Sequence, residues 1–367
     1  MSLGSGVLEI SEKGYGFLRV EKESFRPNNK DIFVSPELIR KKKLREGIEI
    51  EGPVKAGSKN RGLQLVRPEK INGKNFEQYH ELIHFDHLTS INPDQKITFE
   101  TIPDRYTTRS VDLLCPIGKG QRCLIVAPPR TGKTVLLQHL AQGIIKNHPE
   151  MILYVLLIDE RPEEVTDFRR NIKGKVYAST SDKDVKSHVR LANLVSEKAK
   201  RLVEYGEDVV ILLDSITRLG RAFNNYVGSS GKTMSGGLDA RAMEKPKKIF
   251  GAARKAEESG SLTIIGTALV DTGSRMDEYI FQEFKGTGNM ELVLNRKMAE
   301  RRIWPAMEIS ASGTRREELL FDPKELESVN LLRKQLSDLD PNEAMLMLHK
   351  LFEKYPTNKN LLANLGS

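Results

Sequence analysis

The chain has 367 residues, of which 38% are hydrophobic and 29% charged, which predicts a globular protein of two or three domains. It contains no apolar run of about 18 residues, which excludes a transmembrane helix. Its first residues lack the charged and apolar regions of a signal peptide, so residues 1–5 are interpreted as a trimmed end. The two cysteines, Cys115 and Cys123, fit no disulfide framework, which favours a reducing cytoplasm.

The net charge of +8 is concentrated near the start of the chain. Residues 1–70 contain 15 Lys and Arg against 10 Asp and Glu, a surplus of 5, whereas the rest contributes 43 minus 40, or 3. A local basic surplus indicates an anionic partner, nucleic acid first. On charge alone, an ordinary solvated surface remains an equal alternative.

Residues 6–70 show short apolar stretches at close spacing, separated by turn residues. The stretches lie at residues 7–10, 14–20, 31–34 and 48–50. This spacing predicts a small closed barrel of about five strands. Residues 71–110 have no sustained period and contain Pro93 and Pro103, which suits a connector.

From residue 111 onward, apolar runs alternate with long helical stretches. The runs are residues 122–127, 152–158, 209–213 and 262–268. Runs without polar alternation indicate strands buried on both faces, and their alternation with helices predicts an α/β fold with a covered parallel sheet. Residues 323–354 look helical, with a break at Pro341.

The first of these runs ends in a candidate phosphate-binding loop, Ala127-Pro-Pro-Arg-Thr-Gly-Lys-Thr134. Backbone N–H groups of such a loop and of the following helix attract phosphate oxygens. Lys133 would bridge the outer phosphates of a nucleotide, and the Thr134 hydroxyl would bind Mg²⁺. Ala127 replaces the usual first glycine of the motif. The candidate nucleotide-binding residues here are Arg130, Thr131, Gly132, Lys133, Thr134 and Val135.

Two further carboxylates follow buried runs. Asp214 is a candidate for holding a Mg²⁺-bound water, with a helix N-cap as the alternative. Glu160 is a candidate general base, with a surface carboxylate paired to Arg161 as the alternative. Arg301, Arg302, Arg315 and Arg316 could supply charge to a hydrolysis transition state, although the pattern alone favours surface solvation.

The connector contains His80-Glu-Leu-Ile-His84, which matches a zinc-protease motif. We set this interpretation aside because the motif precedes the nucleotide loop and lies in a short connector. The alternative is a linker helix whose Phe85 and Leu88 dock on a neighbouring surface.

The predicted barrel contains a candidate base-stacking surface. Tyr15, Phe17 and Arg19 alternate, so they share one face of a strand, and stacking on aromatic rings binds any base. Phe33 and Asp31 could complete a pocket, with Asp31 accepting from a base amino group. The alternative is that one or both aromatics belong to the core.

Two loops resemble strand-gripping elements of a ring. Residues 225–239 are glycine-rich and contain Lys232, and residues 269–275 leave a buried run and end at Arg275. Both would present a cation on mobile backbone, although such loops are more often simple connectors.

Taken together, several blocks resemble the Rho family of bacterial transcription termination factors, from about residue 6 to about residue 350. The blocks are residues 14–19, 31–36, 127–134, 159–167, 213–218, 284–292 and 312–320. The resemblance implies an N-terminal OB-fold, cold-shock-like barrel and a RecA-like P-loop NTPase motor domain. It also implies a homohexameric, RNA-dependent ATPase that moves 5′→3′ along single-stranded RNA and disrupts RNA polymerase elongation complexes.

The resemblance also implies residue roles. Lys133, Thr134 and Asp214 would bind ATP and Mg²⁺, Glu160 would be the catalytic base beside Arg161, and Arg315 would be an arginine finger that enters the neighbouring subunit. Arg302 would sense the nucleotide and Trp304 would stack on adenine. The implied RNA contacts in the channel are Lys232, Thr233, Gly236, Gly237 and Arg275.

The expected division is an RNA-binding barrel at 1–70, a connector at 71–110 and the ATPase domain at 111–367. Two alternatives share part of this pattern. One is a rotary or secretion-type ATPase subunit, and the other is a passive RNA-binding protein with a degenerate nucleotide site. No membrane partner is expected.

Overall fold

A computed structural model describes residues 2–57, 62–228, 235–239 and 241–365. Among these residues, no helix combines the length and the apolar character that crossing a bilayer requires.

The N-terminal region is a closed five-stranded barrel, as the strand spacing predicts. Its strands are β1 (Ser2–Ile10), β2 (Gly16–Arg19), β3 (Ile32–Val34), β4 (Glu49–Ala56) and β5 (Leu63–Leu65). They follow the order β1-β2-β3-β5-β4, and β4 also pairs with β1, which closes the barrel. Helix α1 (Pro36–Lys42) connects β3 to β4, and inward-facing Leu8, Leu18, Val34, Ile50 and Leu65 form the core. Two short strands, β6 (Lys70–Ile71) and β7 (Lys74–Asn75), extend this sheet from β4.

The first described residues of the chain also belong to the barrel. Ser2 to Ser5 continue β1 and pair with Val54 to Glu51 of β4. Serine and glycine carry little strand propensity, so the sequence gives no signal here. Backbone pairing does not need apolar side chains, and a Cβ at Gly4 would lie 2.5 Å from Ile32 Cδ1, so a larger residue here would require that side chain to move.

The connector contains two short 3₁₀ helices, Phe76–Glu81 and Phe85–His87, then β8 (Ser90–Ile91), β9 (Lys96–Ile97), α2 (Tyr106–Leu114) and β10 (Ile117–Gly118). His80 lies in the first 3₁₀ helix and His84 lies beyond its end, so the two imidazoles do not share a helix. Phe85 and Leu88 are buried against the motor domain, as the docking interpretation predicts.

The motor domain is built on a mostly parallel sheet. Its strands are β11 (Arg122–Ala127), β12 (Ile152–Glu160), β13 (Lys175–Thr180), β14 (Asp208–Asp214), β15 (Arg254–Ala256), β16 (Ser261–Leu269), β17 (Met290–Val293) and β18 (Gly313–Thr314). The order is β13-β12-β14-β16-β11-β17-β18, in which the strands from β13 to β17 run parallel and β18 is antiparallel.

Helices cover both faces of this sheet. They are α3 (Lys133–Asn147), α4 (Pro162–Asn171), α5 (Val185–Glu204), α6 (Ile216–Val227), α7 (Glu244–Gly251), α8 (Arg275–Lys285), α9 (Arg296–Glu300), α10 (Pro323–Ser337), α11 (Pro341–Lys354) and α12 (Asn358–Leu365). Along β14, Val209, Ile211 and Leu213 join one core cluster, whereas Val210 and Leu212 join the other. The prediction of strands buried on both faces is therefore confirmed, as is the break at Pro341, the first residue of α11.

Buried polar contacts dock the barrel on α5 and β13. Arg45 donates two hydrogen bonds to the fully buried Glu204 carboxylate, at 2.8 and 2.6 Å. Phe25 stacks on Tyr177 with ring centroids 4.9 Å apart. Separating Arg45 from Glu204 would leave an uncompensated buried charge, so this ion pair, together with the ring stack, fixes the barrel relative to the motor.

Candidate nucleotide and RNA sites

The phosphate loop connects β11 to α3 at the carboxyl edge of the parallel sheet. Gly132 has a φ of +77° and Arg130 a φ of +65°, so the chain turns sharply before Lys133 begins the helix. The Thr131 hydroxyl donates to the Pro128 carbonyl at 2.7 Å and braces the turn. The loop N–H groups and the start of α3 thus form a concave donor surface for phosphate oxygens.

Lys133 extends from this loop to the end of β14. Its ammonium lies 2.5 and 2.7 Å from the two Asp214 carboxylate oxygens, and the Thr267 hydroxyl donates to Asp214 at 2.7 Å. The N-cap alternative for Asp214 is wrong, since the side chain of Ser215 caps α6. Asp214 is therefore the ion-pair partner of the loop lysine.

Glu160 ends the adjacent strand β12 and is 1% exposed, so the alternative of a surface carboxylate is wrong. Its Oε1 accepts a hydrogen bond from the Arg161 backbone N–H at 3.0 Å and forms an ion pair with the Arg218 guanidinium, also at 3.0 Å. Its Oε2 lies 4.0 Å from the Lys133 ammonium and has no hydrogen-bond partner among the described residues. Burial, followed by the Asp214 charge, raises the pKa of the Glu160 carboxyl. A buried carboxylate with one free oxygen is suited to accept a proton from water.

A largely apolar cavity of about 380 Å³ opens beside the phosphate loop. Gly132, Val135 and Trp304 line it together with Tyr106 and His139. A Cβ at Gly132 would lie 2.7 Å from the Trp304 ring, so the indole rests directly on the loop glycine. The position and the 38% exposure of Trp304 suit a stacking surface for a nucleobase.

The arginines are divided between the two edges of the sheet. Exposed Arg302 lies two residues before Trp304. This segment begins at the phosphate-loop edge of the sheet, because the N–H of Leu294 donates to the carbonyl of Val126 at the end of β11. Exposed Arg315 follows β18, and its N–H donates to the Asn289 carbonyl, level with Arg122 at the start of β11. The length of β11, roughly 17 Å, therefore separates Arg315 from the phosphate loop of its own chain.

On the barrel, three aromatic rings form a half-exposed cluster. The centroid distances are 5.7 Å for Tyr15–Phe17, 5.9 Å for Tyr15–Phe33 and 5.8 Å for Phe17–Phe33. None of the three belongs to the barrel core, so the core alternative is wrong. We call Tyr15, Phe17, Phe33, Arg19 and Asp31 the aromatic platform.

The charged members of the platform contact one another. The Arg19 guanidinium lies 4.7 Å from the Phe17 ring centroid and donates to Asp31 Oδ2 at 2.6 Å. Asp31 is 6% exposed, and its Oδ1 has no hydrogen-bond partner in the described part of the chain. An unsatisfied buried acceptor beside aromatic rings is suited to receive an amino group from a base.

The two predicted channel loops meet at the carboxyl edge of the motor sheet. A Cβ at Gly236 would lie 3.2 Å from the carbonyl carbon of Arg275, so the 3₁₀ turn Ser235–Gly237 packs on the start of α8. The Asn224 side chain donates to the Gly237 carbonyl at 3.2 Å, and Arg275 is exposed. The predicted contacts Lys232 and Thr233 lie outside the described residues.

The structure also reveals functional candidates to which the sequence assigned no role. Arg218 holds the candidate base, and Thr267 holds Asp214. Arg218 lies within a block of family resemblance, so its position is a signal that could have identified it. Thr267 lies inside an apolar strand, and nothing in its surroundings distinguishes it from a core threonine.

Two family models match the chain. The RNA-binding domain of the Rho termination factor matches residues 4–77, and the nucleotide-binding domain of the ATP synthase alpha/beta family matches residues 107–314.

Curated relatives match nearly the whole chain. Transcription termination factor Rho of Cereibacter sphaeroides is 53% identical, covering 99% of this chain and 87% of the relative. Transcription termination factor Rho of Aquifex aeolicus is 51% identical, covering 97% of this chain and 83% of the relative.

The fold is shared more widely. An ATPase from a bacterial type III secretion system superposes with a TM-score of 0.64 at 23% identity, covering 76% of this chain and 86% of that one. The type III secretion ATPase EscN of enteropathogenic E. coli gives a TM-score of 0.62 at 22% identity, covering 75% of this chain and 72% of that one. At this identity the likeness establishes a RecA-like fold and nothing further.

Proposed function

The chain belongs to the family of transcription termination factor Rho, and from this premise we propose that its RNA-dependent ATPase works as a ring in which a neighbouring copy completes each nucleotide site. The arrangement that carries the proposal is the group of Lys133, Asp214 and Glu160 at one edge of the motor sheet and the exposed Arg315 at the other. We also propose six copies per ring, as the family resemblance implies, and a cytoplasmic location, in keeping with the two free cysteines.

At the nucleotide site, each side chain has a task. The loop N–H groups and Lys133 would bind the phosphates, and Trp304 would hold the base. Glu160 would accept the proton of the attacking water, with Arg218 fixing the carboxylate through Oε1. Arg130, Thr131, Gly132 and Val135 shape the loop, and Arg161 and Arg302 flank it.

The residues present are compatible with Mg²⁺. The Thr134 hydroxyl and the Asp214 carboxylate are hard oxygen donors beside the phosphate loop, and Mg²⁺ usually takes one or two protein ligands plus substrate phosphates. When bound, the ion would neutralise charge on the terminal phosphates. With Asp214 in that role, Lys133 would be free to bind the phosphates.

Arg315 would act in a neighbouring site. It lies on the edge opposite its own phosphate loop, so it reaches a nucleotide only if a second copy presents its loop there. Arginines supplied in this way stabilise the charge that develops on the transferred phosphoryl group. Heterologous contacts of this kind form a ring when the rotation between neighbouring copies closes.

RNA would bind at two places. The aromatic platform would capture unstructured single-stranded RNA by stacking and by a hydrogen bond from a base amino group to Asp31 Oδ1. The loops around Gly236, Gly237 and Arg275, with Lys232 and Thr233 nearby in sequence, would then contact the strand in the ring channel. Because those loops share the sheet edge with Glu160 and Lys133, hydrolysis would be coupled to movement of the strand. The 5′→3′ direction and the release of the transcript from RNA polymerase are what the family resemblance implies.

The alternatives are less well supported. A rotary or secretion-type ATPase shares the motor fold but does not account for the aromatic platform on the barrel or the relatives that match nearly the full chain. A passive RNA-binding protein does not account for the buried Glu160, Lys133 and Asp214 group.

ATP turnover with and without poly-pyrimidine RNA tests the proposal, combined with the mass of the assembly bound to RNA and a nucleotide analogue. We expect strong stimulation and a hexamer mass. Turnover indifferent to RNA, or a monomer saturated with both ligands, would overturn it.

A further inference from the structure

Glu9, on β1 of the barrel, is shared by two arginines from different domains. Its Oε2 lies 2.5 Å from Nε of Arg19, the cation of the aromatic platform. Its Oε1 lies 2.6 Å from Nε of Arg190, which belongs to α5 of the motor domain. One carboxylate therefore connects the RNA-binding surface to a motor helix.

The contact is built into the domain interface. The side chains of Arg19, Glu9 and Arg190 are 12%, 13% and 23% exposed, so solvent screens their charges only partly. The Arg190 guanidinium also donates to the Phe25 carbonyl, and Phe25 is fully buried against Tyr177. Arg190 is thus held in place independently of Glu9.

The charges of this cluster balance. Arg19 faces two carboxylates, Glu9 and Asp31, and without Arg190 they would leave a net negative charge at the platform. That charge would repel RNA phosphates and would hold Arg19 more tightly on the protein. Arg190 supplies the second positive charge and attracts the Glu9 oxygen that Arg19 does not contact. Glu12, Glu46 and Lys200 line the same groove, and Lys200 pairs with Glu197.

We infer that Arg190 is a positioning residue of the RNA platform, which keeps Arg19 available to an RNA phosphate by sharing the Glu9 carboxylate from the motor side. The inference rests on the proposed role of the platform. It makes the motor domain a determinant of how tightly the barrel binds RNA. Because coupling is reciprocal, RNA on Arg19 would in turn leave Glu9 to Arg190.

The test measures binding of a short fluorescent oligo-pyrimidine RNA to the full chain by anisotropy, at low and high salt. We expect Arg190→Met to raise Kd about five- to tenfold at low salt, with a smaller effect at high salt, because the lost interaction is electrostatic. Arg190→Lys should recover most of the affinity. In a Glu9→Gln background, Arg190→Met should change Kd by less than about twofold, because the shared carboxylate is gone.

The matched control is Lys198→Met, which removes two other barrel–motor ion pairs, Lys198–Glu49 at 2.9 Å and Lys198–Glu21 at 3.8 Å, neither of which touches Arg19. It should leave Kd within about twofold of the parent chain, because Lys198 contacts neither Arg19 nor Glu9. Basal ATP turnover without RNA should be unchanged in Arg190→Met. Should Arg190→Met fail to fold, Arg190→Lys and Glu9→Gln still decide, since the inference requires near-parental affinity in the first and equal or tighter binding in the second.

Three results would overturn the inference. They are an unchanged Kd in Arg190→Met, an equal loss of RNA affinity in Lys198→Met, and a loss of affinity from Arg190→Met that is the same in the parent chain and in the Glu9→Gln background. Phe17→Ala separates this inference from the proposed function. If Phe17→Ala weakens RNA binding and Arg190→Met does not, the inference alone fails. If Phe17→Ala binds RNA normally, the platform itself is wrong.

Discussion

Arg315 and Lys133 lie at opposite edges of the same parallel sheet. Lys133 follows the carboxyl end of β11, whereas the backbone of Arg315 bonds to Asn289, level with the amino end of that strand. A single chain therefore carries both halves of a hydrolytic site but cannot join them. This relationship is the structural basis for expecting catalysis between copies.

Arg315→Ala should retain nucleotide binding and lose most RNA-stimulated hydrolysis, by about 10³-fold, because the guanidinium acts on transition-state charge. The measurement is steady-state ATP turnover at saturating RNA, alongside nucleotide binding by fluorescence. Arg316→Ala is the matched control, since Arg316 is exposed and pairs with Glu318 at 2.6 Å. Unchanged turnover in Arg315→Ala would remove Arg315 from catalysis.

The pH dependence of turnover should report Glu160. Burial and the Asp214 charge raise the pKa of Glu160 above its ordinary value of 4.5. Because the base must be ionised to accept a proton, kcat should fall as the pH is lowered, and this loss should begin at a higher pH than for an ordinary carboxylate. Arg218→Met should shift this acid limb to higher pH, because the Arg218 charge favours the carboxylate. Glu160→Gln, which cannot accept the proton, should abolish the limb together with most of the activity. An identical acid limb in Arg218→Met would show that another group is being titrated.

Phe17→Ala should weaken binding of unstructured RNA by about 1–3 kcal/mol while leaving ATP affinity unchanged, since it removes one stacking ring. Anisotropy titrations with an oligo-pyrimidine and with a fluorescent nucleotide measure the two effects separately. Val20→Ala alters an exposed residue just beyond the same strand and serves as the control. Equal RNA affinity in both variants would contradict the platform.

Glu46→Gln should stabilise the fold at alkaline pH. Burial, with the nearby Glu197 and Glu9 charges, raises the pKa of Glu46 to about 7, against an ordinary value of 4.5. The folded state thus binds the Glu46 proton more tightly than the unfolded state does. The stability that this proton provides is complete below pH 4.5 and is lost as the pH rises through about 7. The variant lacks this titration, so its free energy of unfolding relative to the parent should rise by about 1–2 kcal/mol between pH 5 and pH 8, allowing for partial exposure.

Urea denaturation at the two pH values measures the effect. Glu12→Gln is the control, because Glu12 is an exposed carboxylate in the same groove. A pH-independent difference between Glu46→Gln and the parent chain would contradict the assignment.

Much of this architecture could be predicted because it follows from local pattern. Apolar runs placed the parallel strands, and the loop ending in Lys133 and Thr134 follows its strand directly. The pairing of Ser2 to Ser5 with β4 could not be predicted, since it depends on backbone hydrogen bonds to a strand some 50 residues away. The same holds for Arg218 on Glu160 and for Arg190 on Glu9, because each contact joins distant segments that only the tertiary fold brings together.

The central claim is that hydrolysis occurs between copies, and trans-complementation tests it most directly. An Arg315→Ala chain retains Glu160, and a Glu160→Gln chain retains Arg315, so each is inactive alone. Mixed in equal amounts and reassembled on poly-pyrimidine RNA, they should restore a first-turnover burst of ATP hydrolysis with an amplitude of about a quarter of the parent ring, because that share of random interfaces pairs an intact Glu160 with an intact Arg315. A burst no larger than the average of the two separate variants would contradict it.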